Sequence, residues 1–298
     1  MAAPIHFDDT DDLVDICMDN VFKAVFTRNT TASQGALSKL VSALIGRNVS
    51  IIAINANEPP INNLRDRQIR FDINCRASDG ELVNVEMSLN PAPFEPVRLE
   101  FYAGRLFTGQ DVRGRNKSYN DLSQAYQIAI LAKECFFPDE AFYHTFEYYD
   151  PIRRMPLNGR SRIITLELSK LDDVVDKPIK DMDAHEYWAV YFRYLTDKNK
   201  REKINEIIAK EEGIAMASEV LMTISKDEVE RARLLSEYKY ELDMQSIRVE
   251  AVREGHREGR REGHREGHRE GRQEMKHEMI ELLKSGKLPE DIIRDYGG

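Results

Sequence analysis

The sequence predicts an α/β fold, a mixed central β-sheet flanked by helices, followed by a long helical C-terminal extension. Three observations carry this expectation. Two segments with helical apolar spacing precede a series of period-two segments, and further helical segments are interleaved with those strands. A turn of the hairpin type joins the second and third strands, which argues against an all-parallel sheet. From Asp183 onward the chain reads as helix alone, ending in a four-residue repeat.

The elements follow in order. Leu13, Ile16, Cys17, Val21, Val25 and Phe26 give a first helix over residues 13–26. Ala36, Leu37, Leu40, Val41, Leu44 and Ile45 form the apolar stripe of a second, with Ser33 as its expected N-cap and Gly46 at its C-terminal end. "NVSIIAINAN" is a short β-rich run. "QIRFDINCRA" alternates Ile69, Phe71, Ile73 and Cys75 against Arg70, Asp72, Asn74 and Arg76. After the turn "SDG", "ELVNVEMSLN" alternates again, with Leu82, Asn84, Glu86 and Ser88 on one face and Val83, Val85, Met87 and Leu89 on the other. The two runs read as an antiparallel hairpin that brings Asp72 and Glu86 to one polar face. Pro91, Pro93 and Pro96 precede a helix over residues 97–108, and Leu122, Ala125, Tyr126, Ala129 and Ile130 suggest another over 120–134. "AFYHTFEYYD" and "RIITLELSKL" read as two late strands, with "PIRRMPLNGR" as their connection. Trp188, in "HEYWAVYF", reads as core. The expected division is residues 1–180 for the α/β domain, 181–252 for a helical extension and 253–298 for a charged tail.

Composition limits the function. The chain carries a formal net charge of −9, so DNA contact would have to come from a local basic patch. One exists. Arg98, Arg105, Arg113, Arg115 and Lys117 stand against Glu100 and Asp111, a local net charge of 5 − 2 = +3. Arg98, Tyr102 and Arg105 share one helix face, which makes this segment the candidate phosphate grip, unless its arginines pair with neighbouring carboxylates. Arg65, Arg67 and Arg70 flank the hairpin and add to the same patch. The three cysteines, Cys17, Cys75 and Cys135, have neither metal-binding spacing nor a disulfide pattern, which fits a reducing cytoplasm. The acidic start "MAAPIHFDDTDDLVD" is not a signal peptide, and no apolar run approaches the roughly 18 residues a membrane span needs.

The tail reads "REGHREGRREGHREGHREGR" over residues 253–272. At a period of four, successive ridges drift by about 40° per repeat, so Arg, Glu and Gly spiral around a helix. Glu254 faces Arg257, a pairing worth about 0.2–0.5 kcal/mol, against about 1 kcal/mol lost per glycine. Residues 253–298 hold 11 basic and 11 acidic side chains, so the tail is neutral and no DNA arm. His264 and His268 follow from the repeat; no Cys or carboxylate set completes a metal site. A solvated or self-associating helix is expected, and with it a homo-oligomer.

Two carboxylates on neighbouring strands can hold a divalent cation that activates water and offsets charge on a phosphate. Asp72 and Glu86, 86 − 72 = 14 residues apart, have the right phase, and the Met87 carbonyl can add a ligand. The same pattern also describes two solvent-facing charges on an amphipathic hairpin. Resemblance adds to this. "DNVFKAVF", "RFDINCRASDGELVNVEM", "YNDLSQAYQIAIL", "ITLELSKL" and the "REGHREG" array occur in the order of the PD-(D/E)XK nuclease superfamily. The chain resembles its transposase-type branch, the Rpn recombination-promoting nucleases. The resemblance implies a restriction-endonuclease-like fold and a Mg²⁺- or Mn²⁺-dependent DNA endonuclease tied to recombination. It makes Asp72 and Glu86 the metal ligands and Asp19 the helix acid that completes the site. Ser88 stands where the family pattern has Lys or Gln. Lys23, one turn beyond Asp19, is the substitute cation it suggests. The alternative is a catalytically weakened DNA- or protein-binding module of the same fold.

Overall fold

The computed structural model describes residues 5–55, 72–110, 118–157, 159–286 and 288–290. By contacts the chain divides into two compact units, residues 1–238 and 239–298. The first holds α1 (Asp19–Phe26), α2 (Thr31–Ile45), β1 (Ile51–Ile54), β2 (Ile73–Ala77), β3 (Leu82–Ser88), α3 (Glu95–Thr108), β4 (Ala125–Leu131), β5 (Tyr143–Phe146), β6 (Tyr149–Asp150), β7 (Met155–Pro156), β8 (Ser161–Glu167), α4 (Asp172–Val175), α5 (Ala184–Tyr194), α6 (Arg201–Lys210) and α7 (Glu212–Lys226). α8 follows at Glu228–Lys284.

The main sheet has the order β1-β2-β3-β4-β8-β5, and β6 and β7 form a separate small hairpin. β1, β2 and β3 pair antiparallel, β3–β4 and β4–β8 pair parallel, and β5 pairs antiparallel with β8. This is the expected mixed sheet with flanking helices. Its two faces are covered differently. Val83, Val85, Met87, Ile128, Ile130, Ile164 and Leu166 join the large core with α1, α2, α5 and α7. On the opposite face α3 packs with Leu99 on Ala129 and Leu131, and with Leu106 on Leu82 and Ala125. The polar faces of β3 and β4 therefore lie beneath α3.

Local chemistry accounts for the helix ends. Thr30, not Ser33, caps α2, its hydroxyl accepting from the Ser33 amide at 3.2 Å. Gly46 ends α2 at φ 78°, where a side chain would be strained. α2 and α7 approach closely at Gly213; a Cβ there would lie 2.3 Å from the Lys39 Cβ. Trp188 is fully buried, with Phe26 and Phe192 against it.

Three expectations are corrected. Residues 120–134 do not form a helix. They give a 3₁₀ turn at Tyr119–Asp121 and then β4, buried at every position. A central parallel strand is apolar on both faces, so its run mimics a helical stripe. The first helix begins only at Asp19. Before it, the Cys17 amide donates to Asp15 Oδ1 and the Val14 amide donates to Ser225 Oγ, taking those groups out of a helical ladder. The strand expected over "AFYHTFEYYD" is split into β5 and β6, and β6 pairs with β7, which lies in the expected connection "PIRRMPLNGR". Among the described residues no helix is long and apolar enough to cross a membrane, and Cys17, Cys75 and Cys135 are free thiols.

Candidate active site

The site is assembled beside the β2–β3 hairpin. The register Ile73↔Val85 and Asn74↔Asn84 puts Asp72, just before β2, next to Glu86. Both carboxylates are buried. The Met87 amide donates to Asp72 Oδ2 at 3.1 Å. From α1, Lys23 Nζ lies 3.0 Å from Asp72 Oδ1 and 2.7 Å from Asp19 Oδ2. The spacing of Asp19 and Lys23, one helical turn apart, aims both at the hairpin. The second oxygen of Asp19 is buried without a hydrogen-bond partner.

Glu86 has different neighbours. Its Oε1 is paired with the Arg98 guanidinium from α3, and its Oε2 accepts from Gln127 Nε2 at 3.3 Å. Gln127 in turn accepts from Asn84 Nδ2 at 2.9 Å. Arg98 also binds Glu95, with Nε donating to Oε2 at 3.1 Å, and its guanidinium lies 5.1 Å from the Tyr102 ring centre.

The electrostatics follow from burial and crowding. Burial, then the charges of Asp19 and Glu86, hold the Asp72 carboxyl well above the usual carboxylate range, against the pull of Lys23. Burial also raises Glu86; the Arg98 charge and hydrogen bond only partly oppose it. For Lys23, burial works to lower the pKa, but the charges of Asp72 and Asp19 outweigh it and the net shift is upward. The ammonium is thus held protonated near neutral pH. Crowded, desolvated carboxylates are an arrangement that a cation relieves.

The donor set fits a divalent metal of the magnesium type. It offers two buried carboxylates and an unpartnered Asp19 oxygen, and Mg²⁺ needs one or two carboxylates with waters. Among the described residues no three His, Cys, Asp or Glu side chains gather closely enough to hold a metal ion by themselves, so the acids here act as a pair, Asp72 with Glu86.

Ser88 ends β3, half-buried, opposite Leu131, and its carbonyl accepts from the Ala132 amide at 2.9 Å. Lys23, the substitute cation suggested from the sequence, lies beside Asp72. Of the basic patch, Arg98 turns inward to Glu86 and Glu95, Tyr102 packs at the Leu82–Leu106 cluster, and Arg105 is half-exposed on α3. Arg65, Arg67, Arg70, Arg113, Arg115 and Lys117 lie outside the described residues. Sequence patterns alone do not single out Gln127 and Glu95. The only signal for Gln127 is its place as the one amide in the apolar run "AYQIAIL", and for Glu95 its place three residues before Arg98.

A mixed sheet carrying two acids on its central hairpin, with helices on both faces, defines a nuclease-like fold of the restriction-endonuclease type. The family model of the PD-(D/E)XK nuclease family transposases matches residues 16–251, and the chain belongs to that family. No curated protein and no solved structure matches the chain.

Proposed function

We propose that the protein is a divalent-metal-dependent DNA endonuclease, acting in the cytoplasm in recombination or transposition. The observation that supports this best is the convergence of two buried carboxylates, Asp72 and Glu86, with the half-buried Lys23 against Asp72. Asp72 and Glu86 would hold Mg²⁺ or Mn²⁺, with the Met87 carbonyl and Asp19 completing the set. The cation supplies a lowered water pKa and neutralisation of charge on the phosphate. Lys23 takes the place left by Ser88. Because it stays protonated, it acts as an electrostatic partner of the phosphate rather than as a general base. The Met87 amide fixes the Asp72 carboxylate in orientation, and Gln127 does the same for Glu86. Arg105, with Arg113, Arg115 and Lys117, would grip the phosphate backbone. Arg98 would exchange Glu86 for phosphate once the carboxylate has a metal to hold, with Tyr102 stacked on its guanidinium.

A second reading has its own observation. Both Glu86 oxygens are already engaged, by Arg98 and Gln127. If Arg98 does not yield, the fold serves as a weakened DNA- or protein-binding module. Plasmid nicking with Mg²⁺ or Mn²⁺ separates the two. Nicking that disappears in Asp72→Ala and weakens in Lys23→Ala is expected. Nicking undiminished in Asp72→Ala would sink the assigned centre, and DNA binding without any nicking in the wild type would favour the second reading.

A further inference from the structure

A pocket of about 280 Å³ opens on the α3 face of the sheet. Its position is set by register. Glu86 on β3 stands opposite Ala129 on β4, and Ala129 opposite Thr165 on β8. One row thus runs from the candidate centre to the pocket floor, and two strand spacings make it about 10 Å. Leu99 of α3 packs over Ala129, between them.

The lining is specific. Leu99 and Ile163 give apolar sides, and Phe137, Phe146 and Tyr148 give aromatic ones. Phe137 and Phe146 lie 4.9 Å apart between ring centres, and the His144 ring packs behind both. Tyr148 is 58% exposed, an aromatic face left open to solvent. Thr165 is 0% exposed, and its hydroxyl is buried without a hydrogen-bond partner. An orphaned buried hydroxyl costs about 1–3 kcal/mol unless something fills it. Two carboxylates, Glu100 and Glu147, complete the lining.

Those features select a ligand class. Glu147 pairs with Arg162 at 3.3 Å, and the Glu100 carboxylate disfavours a phosphate inside the pocket. Open aromatic faces stack planar rings, and the hydroxyl can pair with a ring nitrogen, a carbonyl or an exocyclic amine. The volume lies just under the roughly 300–1,000 Å³ of drug-sized sites, which suits one heteroaromatic ring system and not a peptide or a duplex edge. We propose that this pocket is a base-binding subsite that takes one unstacked nucleobase of the DNA strand whose phosphate lies at Glu86. The proposal rests on the reading of Asp72 and Glu86 as a nuclease centre and gives that centre a substrate form, a strand with a base free to leave its stack.

The test uses the full chain with Ca²⁺, which takes the carboxylates in place of Mg²⁺ without driving cleavage, and fluorescein-labelled single-stranded DNA followed by anisotropy. A mixed-sequence 16-mer is compared with an abasic strand of the same length. Wild type is expected to bind the base-bearing strand at least 10-fold more tightly. Tyr148→Ala should reduce that ratio by about 5- to 150-fold or abolish it, the range for one base–aromatic stack. Thr165→Val, which keeps the shape, should reduce it a few-fold. Tyr148→Ala should keep its melting temperature, Thr165→Val should hold or raise it, and both should keep their affinity for the abasic strand. Equal binding of the two strands, no binding of either, or a ratio that neither variant moves would overturn the subsite. Nicking with Mg²⁺ or Mn²⁺ is scored separately. A wild type that nicks but does not discriminate overturns the subsite alone; one that discriminates but never nicks overturns the nuclease reading alone.

Discussion

Arginine and glutamate pair in both units of the molecule, and the pairs are not equivalent. In the first unit Arg98 holds Glu86 and Glu95, whose side chains are 5% and 3% exposed. In the second, Arg257 holds Glu254 at 2.6 Å and Arg269 lies 3.9 Å from Glu266, all on an exposed helix surface. The first pair is fixed by packing and leaves a stranded charge when broken. The second is screened by water and is one of many interchangeable partners. Residue type therefore does not mark the working part of this chain; desolvation does.

The comparison can be broken at several points, and the largest effect should be chemical. Asp72→Ala or Glu86→Gln is expected to remove nicking by more than the roughly 10- to 100-fold typical of an outer-shell partner. Lys23→Ala should fall in that range, with DNA affinity measured in EDTA unchanged. Next comes stability. Arg98→Ala should cost about 2–3 kcal/mol in urea unfolding, less than the roughly 3–5 of a fully buried pair because Arg98 is itself 26% exposed. Arg257→Ala should cost no more than about 0.5 kcal/mol.

Protonation gives a finer test. The folded pKa of Asp72 is raised above its unfolded value, so its stabilising contribution is complete at acid pH, below that unfolded value. It is lost as pH climbs through the folded value. Asp72→Asn should then melt above the metal-free wild type at pH 7, by about 2–4 °C for each kcal/mol relieved, with the gap closing toward pH 4. Lys23 keeps Asp19 in this variant. Mg²⁺ or Mn²⁺ should raise the wild-type melting temperature and leave the Asn variant unmoved; a wild type indifferent to both ions would argue against the donor set. A modest gain belongs to the tail. A Cβ at Gly259 meets nothing within 4 Å, so Gly259→Ala should add about 1 kcal/mol of helix stability, read as slower loss of helical circular dichroism on heating.

Half of the site is legible in the sequence. Strand alternation puts Asp72 and Glu86 on one face, and helical spacing puts Lys23 beside Asp19. The other half depends on pairings that exist only after folding. Gln127 is hidden because β4 is buried on both faces and reads like a helix. Arg98 reads as a phosphate grip because nothing local shows that Glu86, 12 residues away, lies under it. The row from Glu86 through Ala129 to Thr165 is a product of two parallel pairings and leaves no trace in spacing.

Those parallel pairings also set when the protein becomes itself. The centre joins residues 19, 23, 72, 86, 98 and 127, and β4 is locked only when β8, more than thirty positions later, arrives beside it. Closing such long loops comes before any gain from the ladder, so folding should be slow for a chain this rich in helix. On the ribosome the hairpin with its acids emerges first and waits. The candidate centre is therefore complete only after more than half of the chain has been made.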